Sequence, residues 1–221
     1  MKIPSYVVLL VLISLTFSSC RPYKYGHVFK SKNIQESFPA IVKVLELREG
    51  VVFADVGAQN GAFDAALATL TKNVTYYVQD IDKKAMDDQE WHKVMRYYSK
   101  QVGYPIAKRN TFHTVIGELR ETKLPNNTFD VIHSNATFHA IRHKEDLMKD
   151  IYQKLKPGGY LFIRDEFVQK GVVKWCNDDA CKAVLATEEK LMQVMKASGF
   201  KLVKKIPDFQ GYPMYKFQKR Q

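Results

Sequence analysis

Cysteine is scarce in this chain of 221 residues, which contains only Cys20, Cys176 and Cys181. No second pair of Cys or His residues stands at metal-ligand spacing, so the sequence argues against a zinc site. Cys176 and Cys181 are separated by four residues. They either close a small disulfide loop in an oxidising compartment or remain two thiols in the cytosol, and both alternatives stay open here.

The sequence also lacks an arginine-rich tract, a nucleic-acid-binding motif, an internal repeat and a linker to a second domain. Its formal net charge is +11, from 34 Lys and Arg against 23 Asp and Glu. A basic balance attracts anionic partners in general. Because the lysines are scattered, we interpret the charge as a solvated basic surface and expect no specific nucleic-acid partner. The length and the 46% hydrophobic content are typical of one domain with a sizeable core.

The first twenty residues form a pattern typical of a secretory signal. Lys2 precedes the apolar run Val7–Phe17, which is too short to span a bilayer comfortably. Small residues follow the run, as expected before a cleavage site. The segment Leu15–Cys20 resembles the lipobox of bacterial lipoproteins, which implies that Cys20 is lipidated and starts the mature chain.

This pattern predicts a signal peptide over residues 1–19, a lipidated tether over 20–32 and one folded domain over 33–221. It places the protein in the bacterial cell envelope, membrane-anchored through the lipid on Cys20 and facing the periplasm. Arg21 and the lysines that follow it resist export. An uncleaved hydrophobic anchor and a cytoplasmic location are therefore the alternatives.

The stretch Val51–Phe63 organises the rest of the chain. Its first half is mostly apolar, as in a strand buried on both faces in a parallel sheet. Gly57 and Gly61 punctuate the following turn, and Ala62–Leu70 has a helix-forming composition. A strand, a glycine turn and a helix N-terminus together favour a site for a nucleotide-like ligand, because free N–H groups point at the ligand.

Helical and strand patterns alternate along the remaining chain, which predicts an α/β sandwich around a mostly parallel sheet with a C-terminal antiparallel hairpin. The predicted helices are Asn33–Leu47, Ala62–Leu70, Lys83–Lys100, Lys144–Leu155 and Cys181–Ser198. The predicted strands are Val51–Val56, Val74–Gln79, Thr111–Ile116, Thr128–His133 and Tyr160–Arg164, closed by the pair Lys201–Ile206 and Tyr212–Gln218.

Four consecutive predicted strands end in polar residues: Asp55, Asp80, Glu118 and Asn135. In such sheets the ligand lies beyond the carboxyl ends of the strands, where the strand order reverses. Asp80 stands at the spacing of an acidic residue that binds ribose hydroxyls. The simpler alternative is that Asp55 caps the next helix, and that Asp80 or Asp82 caps the helix after it.

The ordered set of motifs resembles class I S-adenosylmethionine-dependent methyltransferases. The segment Asp55–Gly61 is similar to the family's first motif, Asp-x-Gly-x-Gly-x-Gly, with Gln59 in place of the middle glycine, and Leu155–Ile163 is similar to the turn before strand five. The resemblance implies a Rossmann-like seven-stranded sheet in the order 3-2-1-4-5-7-6, S-adenosylmethionine as cofactor and methyl transfer to a small-molecule acceptor. The cofactor-binding residues that it implies are Asp55, Gly57, Ala58, Gly61, Asp80, Ile81, Glu118 and Asn135.

His139 lies in the loop after the fourth strand and is the candidate general base, with a structural or surface role as the alternative. His113 and His133 lie within strands, where we expect packing roles. Gln59 and the export signal leave a second function open, in which a catalytically inactive methyltransferase fold serves as a binding module in the envelope. The aromatic candidates for an acceptor pocket, which core packing explains equally well, are Tyr97, Tyr98, Phe138 and Trp175.

Overall fold

The computed structural model describes residues 29–176 and 183–219. The helices in these ranges are α1 Ser31–Val44, α2 Ala62–Ala68, α3 Asp88–Val102, α4 Lys144–Lys154 and α5 Glu188–Ala197. The strands are β1 Val52–Val56, β2 Thr75–Asp80, β3 Thr111–Ile116, β4 Phe129–Asn135, β5 Leu155–Arg164, β6 Phe167–Val168, β7 Ala186–Thr187, β8 Phe200–Phe209 and β9 Tyr212–Lys219.

Seven of these strands form one sheet in the order β3-β2-β1-β4-β5-β9-β8. The first five strands pair in parallel, whereas β9 is antiparallel to both β5 and β8. The predicted strand order and the C-terminal antiparallel hairpin are therefore confirmed. Strands β6 and β7 form a separate parallel pair.

The sheet separates two apolar cores. On one face, α1, α2 and α3 cover the first core, whose largest buried side chains include Phe53, Tyr76 and Tyr98. On the other face, α4 and α5 pack over Ile132 and Leu161. Because β1 and β4 are neighbours while their following helices cover opposite faces, the strand order reverses between them. This reversal opens a crevice at the carboxyl ends of the strands.

Two predicted helices begin later than the sequence pattern indicated. The helix predicted from Lys83 begins at Asp88, because Asp87 is its N-cap and accepts a hydrogen bond from the Gln89 N–H. The helix predicted from Cys181 begins at Glu188, and Thr187 caps it by accepting from the Lys190 N–H. In both segments an N-cap side chain ends a non-helical approach, so the cap and not the apolar spacing fixes the start.

The segment before α5 is extended instead of helical. Val184 pairs with Trp175 in an isolated antiparallel bridge. Cys176 is disulfide-bonded, while Cys181, its predicted partner, lies outside the described residues. Trp175 is 61% exposed, so this aromatic side chain is not part of the core.

The predicted signal peptide and the lipidation site at Cys20 also lie outside the described residues. Among the helices of residues 29–176 and 183–219, none has the length and apolarity needed to cross a membrane.

Candidate functional site

The loop after β1 is held in an unusual backbone conformation. Gly57, Gln59 and Gly61 all have positive φ values, at 84°, 51° and 73°. The N–H groups of Gly57 and Ala58 donate to the Gln79 carbonyl oxygen of β2, at 2.9 and 3.0 Å. Left-handed backbone is natural for glycine and uncommon for other residues, so Gln59 has a conformation that favours glycine.

Neighbouring side chains also leave no room for a Cβ atom at Gly57 or Gly61. A Cβ atom at Gly57 would lie 2.5 Å from the Thr137 side chain, and one at Gly61 would lie 2.6 Å from the Trp91 ring. Thr137 belongs to the loop after β4. The loop after β1 therefore lies directly against the loop that carries His139.

Asp80 joins the loop after β1 to the end of β2. Its Oδ2 accepts from the Gln59 N–H at 2.7 Å, and its Oδ1 accepts from the Asp82 N–H at 2.9 Å. Burial raises the pKa of this carboxyl group above its ordinary value of 3.8. Each carboxylate oxygen has a second lone pair, so both can accept a further hydrogen bond. The helix-capping alternative for Asp80 does not hold, because Asp87 caps α3.

Apolar and acidic side chains flank this carboxylate at the ends of β2 and β3. Ile81 and Leu119 are exposed by 50% and 48%, which is unusual for side chains of this size. Glu118 also follows β3, and its side chain is exposed and lies 3.4 Å from the Lys123 ammonium group. The predicted residues Asp80, Ile81 and Glu118 thus share one edge of the sheet.

Asp55 has a different partner from the one that the helix-cap alternative required. Its Oδ1 lies 2.9 Å from Nδ1 of His133, which is its neighbour in register across β1 and β4. An ionised carboxylate only accepts, so His133 Nδ1 donates. The imidazole stacks between the rings of Phe53 and Phe63. The expected packing role of His133 therefore includes a buried hydrogen bond to Asp55.

Asp64, in the first turn of α2, was missed by the sequence analysis. It is fully buried, and its carboxylate oxygens have no hydrogen-bond partner within the described ranges. Burial raises the pKa of Asp64 well above 3.8, and the negative charge of Asp55 raises it further. The available signal was a single charged residue inside the otherwise apolar sequence Ala62–Leu67.

A second carboxylate–histidine pair lies at the ends of β4 and β5. His139 Nδ1 is 2.8 Å from Asp165 Oδ1, and Asp165 Oδ2 accepts from the His139 N–H at 2.9 Å. The His139 side chain is 8% exposed and that of Asp165 is 1% exposed. Asp165 was also missed, although it directly follows the fifth strand, and the strand-end argument had been applied only to the first four.

Asn135 is held by the neighbouring strand. Its Oδ1 accepts from Nη1 of Arg164 at 2.8 Å, and Arg164 Nε donates to the Phe209 carbonyl oxygen. Burial lowers the pKa of the Arg164 guanidinium group. The turn between β8 and β9 is thereby tied to the same edge of the sheet as the other candidate residues.

The edge offers a consistent set of groups for a nucleoside. Asp80 supplies hydrogen-bond acceptors for ribose hydroxyls, and Ile81 and Leu119 supply exposed apolar surface for a flat base. The loop after β1 lets a ligand approach its backbone closely. A metal is not needed to explain the arrangement, and among the described residues there is no group of three or more His, Cys, Asp or Glu side chains that could hold one.

Comparison with known proteins agrees with this geometry. Residues 54–161 match the family of methyltransferase domains. The phosphoethanolamine N-methyltransferase of Triticum aestivum is 27% identical over 146 residues, which cover 66% of this chain and 26% of that enzyme. The arsenite methyltransferase of Aquipseudomonas alcaligenes is 27% identical over 124 residues, which cover 56% of this chain and 35% of that enzyme. The chain thus spans about a quarter to a third of the curated relatives that it matches.

The fold has close counterparts among solved structures. The S-adenosylmethionine-dependent methyltransferase from Aquifex aeolicus superimposes with a TM-score of 0.66 at 17% identity. The superposition covers 87% of this chain and 94% of that one. The seven-stranded Rossmann-like sandwich is therefore shared along nearly the full described sheet.

The buried Asp64 gives the first prediction. Its pKa is higher in the folded chain than in the unfolded chain, so the folded chain retains a proton that the unfolded chain releases above about pH 3.9. Stability should therefore fall as the pH rises from there through the raised pKa, by up to about 1.4 kcal/mol per pH unit. In Asp64→Asn this contribution should vanish, and the variant should be more stable than wild type at pH 8.

The measurement is the free energy of unfolding from urea titrations at pH 5, 6, 7 and 8. Asp88→Asn, at an exposed position in the first turn of α3, is the matched control and should follow wild type. If wild type and Asp64→Asn have parallel pH profiles, then Asp64 does not carry the proton.

Proposed function

Since residues 54–161 match the methyltransferase domain and the sheet has the fold of S-adenosylmethionine-dependent methyltransferases, we propose that the chain transfers a methyl group to a small-molecule acceptor. In this proposal His139, oriented by Asp165, receives the acceptor's proton. The matched domain and the fold support S-adenosylmethionine as the cofactor. The observation that carries the finer proposal is the buried His139–Asp165 pair, in which His139 lies on the loop after β4 that packs against the loop after β1.

The cofactor half of the site lies at the ends of β1 and β2. At Gly57, Gln59 and Gly61 the backbone would approach the cofactor closely. Asp80 would accept hydrogen bonds from the ribose hydroxyls, and Ile81 would contact the base. S-adenosylmethionine supplies an electrophilic methyl group on a positively charged sulfur. The side chain of Gln59 is exposed, and its backbone N–H still donates to Asp80. A glutamine at this position is therefore compatible with the conformation of the loop.

The acceptor half lies at the ends of β4 and β5. The contact between Thr137 and Gly57 brings the loop of His139 against the loop after β1. We therefore propose that the imidazole faces the acceptor side of the crevice. Alignment of the acceptor with the methyl group is the main source of acceleration in such an in-line displacement. We propose that residues at the ends of β4 and β5 provide that alignment.

The His139–Asp165 pair supplies acid–base chemistry. We propose that Asp165 accepts from the Nδ1–H of His139 and that Nε2 exchanges a proton with the acceptor. As the acceptor's nitrogen, oxygen or sulfur forms its bond to the methyl carbon, the methyl–sulfur bond breaks and the acceptor's proton passes to Nε2. Asp165 then balances the positive charge of the imidazolium, as in other carboxylate–histidine pairs.

A small-molecule acceptor is supported by the relatives. The wheat enzyme is named for phosphoethanolamine and the bacterial one for arsenite, and both acceptors are small. The two acceptors differ in chemistry, so the shared domain corresponds to methyl transfer and not to one substrate.

The raised pKa of Asp80 predicts a pH-dependent affinity for S-adenosylmethionine. The ionised carboxylate accepts hydrogen bonds from ribose hydroxyls better than the protonated acid does. The dissociation constant should therefore increase as the pH falls from 8 to 5, by at most about tenfold per pH unit below the pKa. Asp80→Asn should bind weakly at every pH. Calorimetric titrations would measure this, with the exposed Asp88→Asn as control, and equal flat profiles for wild type and Asp80→Asn would contradict the role of Asp80.

The proton-accepting pair is tested by His139→Gln and Asp165→Asn. Both should lower kcat about 100-fold or more while leaving the affinity for S-adenosylmethionine within about twofold of wild type. The assay is transfer of a radiolabelled methyl group to a panel of small amines, thiols and hydroxyl compounds, combined with cofactor titration. His113→Gln, on exposed β3, is the control. Full activity in His139→Gln would refute the role of the pair, whereas loss of cofactor binding in both variants would show a structural role.

The envelope location proposed from the sequence has its own test. The full chain should fractionate with membranes, and Cys20→Ala should release it into the soluble fraction. Cys176→Ala is the control and should remain with the membranes. Wild type that is soluble at full length would contradict the lipoprotein proposal.

A further inference from the structure

A basic cleft lies beside the His139–Asp165 pair and has no role in the mechanism above. It has a volume of about 590 Å³ and is formed by the first turn of α4 and the approach to α5. This volume lies within the range that holds small organic ligands. We call it the basic cleft. Its principal lining residues are Arg142, His143, Lys144, Lys190, Val184 and Leu185.

The cleft is connected to the acceptor half of the site through Lys144. The ammonium group of Lys144 donates to the carbonyl oxygens of His139 and Ile141, at 3.1 and 2.5 Å. Asp165 is close enough to raise the pKa of Lys144, although burial lowers it by more. Lys144 therefore links the cleft to the backbone of the loop that carries His139.

Among the described residues that line the cleft, positive charge predominates once the acidic residues are paired. Asp146 forms a salt bridge with Arg120, and Glu145 lies 3.9 Å from the Lys190 ammonium group. The guanidinium group of Arg142 is exposed and has no hydrogen bond or ion pair within the described residues. Among the described residues, Arg142 forms no salt bridge with a carboxylate, and Lys144 is influenced by Asp165 without forming a salt bridge with it. The N-terminal end of α4 adds little positive potential to the cleft, because the carboxylates of Glu145 and Asp146 lie in its first turn and offset the helix dipole.

The opposite wall of the cleft is apolar. Val184 is 40% exposed, and Leu185 and Ala186 continue the same wall. Apolar side chains facing a few cationic groups are typical of sites for organic anions, in which the carbon skeleton contacts one wall and the anionic group contacts the other. A guanidinium group is well suited to a phosphate or carboxylate, because it offers paired donors in one plane.

We infer that the basic cleft binds the anionic group of the methyl acceptor, so that the acceptor is a small organic molecule carrying a phosphate or a carboxylate. This inference rests on the proposed function, because it takes the neighbouring His139–Asp165 pair as the place of methyl transfer. Arg142 contacts the anionic group, Lys144 contributes charge at the end nearest His139, and Val184 and Leu185 contact the apolar part. The acceptor's nucleophilic atom then lies toward the imidazole.

The test uses anion binding by the full chain without cofactor, so that it does not depend on methyl transfer. The probes are phenyl phosphate and benzoate, with benzyl alcohol as the neutral analogue, titrated by calorimetry at constant ionic strength. At least one anion should bind, and benzyl alcohol should bind at least about tenfold more weakly. The stronger of the two anions identifies phosphate or carboxylate as the preferred group.

Variants locate the bound anion. Arg142→Gln should weaken anion binding about tenfold. The control Arg96→Gln, at an exposed position of α3 on the other face of the sheet, should leave binding unchanged. No binding of either anion would overturn the inference, and so would equal losses in the two variants, which would indicate attraction by the net charge alone.

A spectroscopic readout tests the connection to the acceptor site. The imidazole resonances of His139, assigned with His139→Gln, should shift when the anion binds to wild type and should stay unchanged in Arg142→Gln. Anion binding that leaves the His139 resonances in place would separate the cleft from the site of methyl transfer and overturn the assignment. Binding of S-adenosylmethionine, measured separately, reports on the proposed function, so failure of either proposal can be distinguished.

Discussion

The hydrogen bond from the Gln59 N–H to the Asp80 carboxylate holds the candidate site together. It joins the loop after β1 to the end of β2, and the two N–H groups donated to the Gln79 carbonyl oxygen fix the same loop from the same strand. A non-glycine residue in left-handed backbone carries a strain of about 1–2 kcal/mol. A hydrogen bond to a charged group contributes about 1.5–3 kcal/mol. The bond therefore offsets the strain, and Gln59 can occupy a position that favours glycine.

Two pairs of strands in the parallel sheet carry different parts of the candidate site. β1 and β2 supply the groups that suit the cofactor, while β4 and β5 supply the His139–Asp165 pair. The two halves meet where the Thr137 side chain packs on Gly57, in a space too small for any other residue at position 57. In the proposed function, this contact fixes the distance between the loop that binds the cofactor and the loop that carries His139, as in-line transfer requires.

Local patterns along the sequence predicted most of the fold. Each strand of the sheet had its own apolar signature, and the strand order followed from the resemblance. The starts of α3 and α5 were wrong, because apolar residues such as Met86 and Val184 continue the helical spacing without being helical. Met86 is buried in the turn before α3, and Val184 pairs with Trp175 in a bridge that no local pattern announces.

The candidate site was predictable as far as it depends on strand ends. Asp55, Asp80 and Asn135 lie where parallel strands place them, but their partners come from contacts between residues distant in sequence. His133 is 78 residues from Asp55, and Asp165 is 26 residues from His139. The local sequence around Asp55 is compatible with a helix cap. The register of β1 with β4 instead places Asp55 opposite His133, to which it is hydrogen-bonded. Asp64 was not predicted, because its raised pKa results from complete burial, which the sequence alone does not indicate.

The most direct test of this account is a crystal structure of the chain with S-adenosylhomocysteine, the product of methyl transfer. The account predicts ribose hydroxyls within hydrogen-bond distance of Asp80, with the sulfur atom facing the loop of Thr137 and His139. A ligand bound away from Asp80, or a sulfur atom that faces away from the ends of β4 and β5, would contradict it.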